Sequence, residues 1–187
     1  GLAIVDMTSG RFIVQELESS EELYNEIERF QPVEILLSEK TQLKSRLQQQ
    51  LGATTAFKQQ SDWWYDEEPS RRLLNQQFST LDLSGFGIEH LTTAIRAAGC
   101  LMQYINDTQR CKLPHIKKII HEVSSDSVIL DSISRHNLEI NESLNHNHNN
   151  TLISILNKTA TSMGARMLFR WLNRPLKNHN LLQQRIE

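Results

Sequence analysis

The chain has 187 residues, 39% of them hydrophobic, enough to pack one full domain and part of a second and too many for wholesale disorder. No apolar run approaches the roughly 18 residues of a membrane-spanning helix, and neither GxxxxGK[ST] nor GxGxxG occurs among the seven glycines, which excludes nucleotide sites of those kinds. The formal net charge of −2 conceals an asymmetry: residues 1–127 carry 13 Lys and Arg against 18 Asp and Glu, and residues 128–187 carry 7 against 4. The acidic first part is a poor general phosphate binder, whereas the basic end suits nucleic acid, an acidic neighbour or plain solvent.

In chain order, residues 3–7 and 11–17 are rich in Ile and Val and flank the turn-forming Thr8-Ser9-Gly10, which predicts a β-hairpin. Ser19 or Ser20 can cap a helix with Glu21 and Glu22 in its first turn and Leu23, Ile27 and Phe30 on its apolar face; Pro32 stops it. Residues 33–37 read as a short buried strand. Leu43, Leu47 and Leu51 mark a second amphipathic helix closed by Gly52, and residues 54–58 a further strand. This order implies an α/β sandwich with a mixed sheet, antiparallel at its start; a ribonuclease-H-like sheet begins this way.

Residues 69–78 begin the next helix, with Pro69 in its first turn, and residues 81–87 form a turn-rich connector. Ile88, Leu91, Ile95, Ala98, Met102 and Ile105 then recur at alternating steps of three and four, one continuous helical stripe. Gly99 inside that helix costs roughly 1 kcal/mol relative to Ala, which points to a close backbone approach. Leu113-Pro114 ends the pattern, and residues 116–123 look extended. A boundary is expected near Asp126, with residues 1–126 as the α/β domain and residues 127–187 as an all-α part. Helices are expected over 128–144, 152–156, 163–172 and 178–187, with a polar Asn- and His-rich loop at 145–150. Gly1 in place of Met, a strand under way at Leu2 and a helix still running at Glu187 lead us to expect a segment of a longer chain.

Asp6, ending the first strand, and Glu39, after the third, stand where two-metal nucleases of ribonuclease-H type place carboxylates. Such chemistry needs three or four converging carboxylates and no third is evident. Asp6 is therefore read first as a cap on the hairpin turn, with a metal-dependent nuclease using Asp6 as the alternative. Trp63-Trp64-Tyr65 could stack on bases, but Asp62, Asp66, Glu67 and Glu68 would repel phosphate, and packing is the preferred reading. Ser84-Gly85-Phe86-Gly87 precedes a helix start, where backbone N–H groups can hold an anion, and reads as a loop-to-helix turn. His146 and His148 lie in an Asn-rich loop without thiol or carboxylate, and a solvated loop is preferred to a metal site. Arg166, Arg170 and Arg174, four apart, would share one helix face opposite Met163, Met167 and Trp171; a partner-facing or solvated edge is preferred to a row of phosphate contacts. Cys100 and Cys111 lack CxxC spacing and are expected as reduced thiols of a cytosolic protein, Cys100 on the apolar side of its helix. No catalytic, cofactor-binding or metal-ligating set is assigned.

Several segments carry a family pattern. The stretch Ala3-Ile4-Val5-Asp6-Met7-Thr8-Ser9-Gly10-Arg11-Phe12 resembles the opening of the connector domain of MutS-type DNA mismatch-repair proteins. Leu83-Ser84-Gly85-Phe86-Gly87 with Ala97-Ala98-Gly99-Cys100-Leu101-Met102-Gln103-Tyr104 is similar to that domain's closing loop and helix. Asp107-Thr108-Gln109 and Leu113-Pro114-His115-Ile116 resemble the exit into the core, and Arg135-His136-Asn137-Leu138-Glu139-Ile140 the first core helix. Most specific are Thr151-Leu152 and Ser162-Met163-Gly164-Ala165-Arg166-Met167-Leu168-Phe169-Arg170-Trp171-Leu172-Asn173-Arg174-Pro175-Leu176. The matches are collinear and cover nearly the whole chain.

The resemblance implies a ribonuclease-H-like connector, a mixed sheet with flanking helices, followed by the start of an all-α core or lever domain. Full-length relatives are dimeric clamps in the cytoplasm that bind mismatched double-stranded DNA, hydrolyse ATP with Mg and recruit MutL. Their mismatch-reading Phe-x-Glu belongs to a preceding domain, and none of the six Phe here is followed by x-Glu; their nucleotide site belongs to a later one. What the resemblance leaves to this segment is transmission between those domains and a surface for MutL, which we place on Arg71, Arg72, Leu73, Asn75 and Gln76. Relatives often carry glutamines about where Arg72 and Leu73 stand. Arg135, Asn137 and Glu139 are expected to fix the junction between core helices.

Overall fold

The computed structural model describes residues 1–51, 55–109, 113–123, 127–145 and 150–186. They fall into two units, Gly1–Glu122 and Val123–Glu187. The expected boundary residue Asp126, the helix stop Gly52, Thr54, Cys111, His146 and His148 lie outside the described residues.

The first unit opens with the expected hairpin. Strands β1 (Leu2–Asp6) and β2 (Arg11–Gln15) pair antiparallel, with Leu2 opposite Gln15 and Asp6 opposite Arg11. The turn closes through the Gly10 N–H, which donates to the Asp6 carbonyl at 2.9 Å. Gly10 is needed twice over: its φ is +69°, and a Cβ there would stand 2.2 Å from the His115 carbonyl oxygen. On its other edge β2 pairs parallel with β5 (Ile119–His121), Phe12 beside Ile119 and Val14 beside His121. The three-stranded sheet β1-β2-β5 is therefore mixed, and its central strand is buried at Phe12, Ile13 and Val14.

Helix α1 (Ser20–Phe30) starts as its sequence dictates. The Ser19 hydroxyl accepts from the Glu22 N–H at 3.1 Å, and Gln31 ends the helix in the left-handed region before Pro32. Then β3 (Glu34–Ser38), α2 (Leu43–Leu51) and β4 (Ala56–Gln60) form a β-α-β unit with the two strands parallel. Among the described residues these strands make a separate two-stranded sheet. The expected mixed sheet is the three-stranded one, and the composition of β4 suits an edge position. Strand β4 reads Ala-Phe-Lys-Gln-Gln and is largely solvent-facing, so it lacks the apolar faces a central strand requires.

A 3-10 turn over Asp62–Tyr65 leads into α3 (Glu67–Phe78), with Pro69 in the first turn. The longest helix, α4 (Thr92–Gln109), starts later than its apolar stripe: Ile88 and Leu91 sit in the preceding turn, where the Leu91 carbonyl accepts the Ile95 N–H. All six stripe residues are nevertheless buried, because that turn continues the path of the helix over the core. Residue 93 begins the exposed N-terminal turn, and a carboxylate far off in sequence serves it. Glu16 Oε1 accepts from the Thr93 N–H at 2.8 Å, the Thr93 hydroxyl at 2.6 Å and the Ala94 N–H at 3.3 Å. Helices α3 and α4 touch at Gly99, where a Cβ would lie 2.1 Å from Ser70 Oγ and 2.7 Å from Ser70 Cα. The close approach read from Gly99 is present.

The second unit is all-helical: α5 (Ser132–Asn137), α6 (Leu152–Leu156), α7 (Ser162–Asn173) and α8 (His179–Ile186). The long helix expected over 128–144 is corrected to the six residues of α5. Asp131 caps it, Oδ1 accepting from the Ser134 N–H at 2.6 Å, and Glu139 at φ 47° turns the chain out of it. The Glu139 carboxylate then accepts from the Leu144 N–H at 2.7 Å and the Ser143 hydroxyl at 3.0 Å. Ser143 Oγ likewise accepts from the Asn145 N–H at 3.3 Å; such side-chain bonds give the backbone alternatives to helix that hydrophobic spacing does not weigh. Thr151 and Ser154 form a capping box for α6, and Asn141 and Asn173 exchange two amide hydrogen bonds at 2.7 and 3.0 Å. Ile140 is the buried hydrophobic side chain of this unit among the described residues, beside buried Ser127, Arg135, Ser143, Thr151 and Asn173. Among the described residues, caps and polar pairs are more numerous in this unit than buried apolar side chains.

Two outcomes follow from the first unit. Gly99→Ala gains about 1 kcal/mol of helix propensity, but its methyl meets the Ser70 backbone, and overpacking costs typically about 1–3 kcal/mol. A lowered urea midpoint is expected, and an unchanged or raised one would contradict the contact. Hydrogen bonding to Thr93, its hydroxyl first, holds the Glu16 carboxyl below its ordinary value of 4.5. A depressed carboxyl stabilises fully above the unfolded value and loses that contribution as pH falls through the folded one. Glu16→Gln should therefore lower stability at neutral pH and flatten the acid loss below about pH 4.5, read from denaturation midpoints across pH.

Candidate functional site

Helix period divides the α3 surface singled out from sequence. Arg71 is engaged on all sides: Nε donates to Glu67 at 2.8 Å, Nη1 to the Glu89 carboxylate at 2.6 Å and Nη2 to the Glu89 carbonyl at 2.8 Å. Glu89 in turn accepts the Leu83 N–H at 2.9 Å, so Arg71 fastens the 83–89 connector to α3. Leu73 packs on the core. Asn75 donates to the Leu81 carbonyl at 3.1 Å and accepts from Thr80, fixing the turn that leaves the helix through left-handed Ser79. Of the five residues read as an exposed stretch, Arg72 and Gln76, one helical turn apart, are the exposed ones, and Arg71, Leu73 and Asn75 are half-buried. Arg72 pairs with Glu68 at 2.9 Å, both side chains about four-fifths exposed, a pair worth at most about 1 kcal/mol.

Beside this face stands a residue that sequence reasoning missed. Leu81 is 99% exposed, held outward by the Asn75 bond to its own carbonyl. Its signal in the sequence is a lone Leu between the turn formers Ser79-Thr80 and Asp82.

Asp6 behaves as a turn cap. Its Oδ1 accepts from the Thr8 N–H at 2.9 Å and the Ser9 N–H at 3.3 Å, and Oδ2 from the Ser9 hydroxyl at 2.5 Å. Glu39 accepts from the Ser61 hydroxyl at 3.1 Å. Among the described residues no three His, Cys, Asp or Glu side chains gather as metal ligands, and nothing supports the nuclease alternative.

Packing was expected for Trp63-Trp64-Tyr65, yet Trp63 is 65% exposed, leaning on Trp64 at 5.6 Å between ring centroids. The 3-10 turn explains this, since three residues per turn cannot place three consecutive aromatics on one inward face. Tyr65 is anchored: its carbonyl accepts from Arg96 Nε at 2.5 Å. Burial pushes the Tyr65 hydroxyl and the Cys100 thiol upward, which leaves buried Cys100 inert as a nucleophile. Lys40, and then Ser38, hold the Asp62 carboxyl below the usual range.

Ser84–Phe86 is a 3-10 turn with Gly87 left-handed at φ 70°. The helix start it leads to already has its anion, the carboxylate of Glu16. In the second unit the row of three arginines is corrected to two. Arg174 lies past the end of α7 and donates to Ser127 Oγ at 3.1 Å and the Val123 carbonyl at 2.7 Å. Arg166 folds back on the Ser162 carbonyl at 3.3 Å, and Arg170 is exposed. Met163, Met167 and Trp171 are exposed too. Arg135 is buried, and the Glu139 carboxylate holds the Ser143 hydroxyl and the Leu144 N–H in the turn after α5.

The strongest electrostatic feature has no local signature in the sequence. Glu122, its side chain 3% exposed, accepts from Arg11 at 2.6 Å, Arg29 at 2.9 Å and the Gln15 amide at 3.4 Å. Arg29 also binds Glu26, its Nε at 3.0 Å. The partners of Glu122 lie 93 to 111 residues away in sequence, so no window along the chain could have found them.

Comparison with family models matches residues 1–117 to MutS domain II and residues 133–187 to MutS domain III. The two matches are collinear and span most of the chain. The chain belongs to the MutS family of DNA mismatch-repair proteins.

Proposed function

We propose that this segment transmits conformational change between the mismatch-reading and ATPase domains of its parent protein and offers a docking surface to MutL. The observation that carries the reading is the collinear match of the second and third MutS domains to this chain. The antiparallel hairpin, the β-α-β unit and the parallel β2–β5 pair support a ribonuclease-H-like connector in residues 1–126. The short capped helices support the start of a lever domain in residues 127–187.

In this reading the segment is not itself an enzyme and takes no cofactor. Mismatched double-stranded DNA, ATP and Mg are handled by other domains of a cytoplasmic, homodimeric clamp. The MutL surface is the outward face of α3 with Arg72 and Gln76, flanked by Leu81. Arg71, Leu73 and Asn75 support it from within by fixing the connector, the core contact and the helix exit.

The test is association of the purified chain with the N-terminal region of MutL. Arg72→Glu with Gln76→Ala is expected to weaken binding at least about fivefold, the lower bound for residues that matter at an interface, without lowering the thermal midpoint. Binding unchanged in that double variant removes the site. For the isolated chain we expect no ATP hydrolysis and no preference for mismatched over matched duplex. Any residual duplex binding through Arg166 and Arg170 should show a log–log salt slope no steeper than about −2, measured by fluorescence anisotropy.

A further inference from the structure

We propose that Glu122 is a latch that joins the docking of helix α1 and of strand β5 into a single event, so that the strand by which the chain leaves the first unit releases only together with that helix. The inference concerns the first unit alone and depends on no partner or activity.

Glu122 is the last residue of the first unit. The strand before it is short: β5 has three residues, His121 standing beside Val14, and the Glu122 N–H adds one further bond to the Val14 carbonyl at 3.1 Å. Three residues of parallel pairing are a weak hold on a chain exit. The side chain of Glu122 supplies the rest. One carboxylate oxygen meets Arg11 of β2 and the other meets Arg29 of α1, whose side chain is 9% exposed. Arg29 also binds Glu26 of its own helix, so its guanidinium bridges two carboxylates belonging to two elements.

The partly opened states are the unfavourable ones. If β5 peeled away alone, Arg29 and Arg11 would stay in place with one carboxylate fewer between them. If α1 lifted alone, a buried Glu122 would lose the Arg29 guanidinium. Each leaves buried charge with reduced compensation, the situation in which breaking a buried pair is strongly destabilising. When both elements leave together, Glu122, Arg29 and Glu26 all reach water and no buried acid is stranded. Fully closed and jointly open are thus favoured over either half-open form. That is the behaviour of a two-state element.

Hydrogen exchange on the full chain tests this, with the amides of α1, of β5 through Glu122 and of α4 read separately. Arg29→Lys keeps the charge but gives up the planar fork that spans both carboxylates. Although the change is in the helix, protection is expected to fall about tenfold or more at β5 as well as at α1, while α4 changes less than about threefold. Glu122→Gln approaches from the other side and is expected to lower the same two segments on the order of 100-fold; should it fail to fold, Arg29→Lys decides alone. Loss of protection confined to the element that carries the substitution, or a uniform fall across α1, β5 and α4, overturns the latch.

Discussion

Six consecutive residues, Arg11 to Glu16, organise the first unit. Phe12, Ile13 and Val14 are buried and pair on both edges, with β1 antiparallel and β5 parallel. Arg11 and Gln15, at the two ends of the same strand, both reach Glu122. Glu16, the next residue, caps α4. Side chains alternate across a strand, so a shift of one position would turn all of these groups to the wrong face at once. The register is therefore specified several times over, by apolar burial, by a buried carboxylate and by a helix end.

The charge of the chain takes on a different meaning once partners are known. Arg11, Arg29, Arg71 and Arg96 of the first unit all bind carboxylates or backbone carbonyls within it. In the second unit Arg174 holds Ser127 and the Val123 carbonyl, and Arg135 is buried. A net formal charge counts such groups as though they faced solvent. The basic excess of residues 128–187 accordingly overstates the attraction this part can offer to phosphate.

Much of the first unit was legible because local chemistry decided it. The hairpin turn, the Ser19 cap, the six-residue apolar stripe and the close approach at Gly99 each depend on residues a few positions apart, or on a steric demand that only glycine meets. The family resemblance read from collinear motifs was legible for the same reason. The candidate surface was half legible: helical spacing separates Arg72 and Gln76 from Leu73, but nothing in spacing says that Arg71 turns to Glu89 or that Asn75 binds the Leu81 carbonyl. The length of α5 was misread because polar side chains competing for the backbone leave no trace in hydrophobic period. The β2–β5 pairing and the Glu122 cluster were invisible because they join residues about a hundred positions apart.

The two units differ in the contacts that hold them. The first has a contiguous apolar core running from Phe12 through Leu74 and Ile95 to Ile119, and closely packed interiors resist deformation and pass displacement on. The second buries Ile140 among polar side chains and relies on the Asp131 and Thr161 caps, the Thr151–Ser154 box and the Asn141–Asn173 pair. Hydrogen bonds of this kind contribute about 1 kcal/mol each and can be exchanged singly for water. In the first unit the buried Glu122 stands out, since it ties the last residue of that unit to Arg11 of β2 and Arg29 of α1.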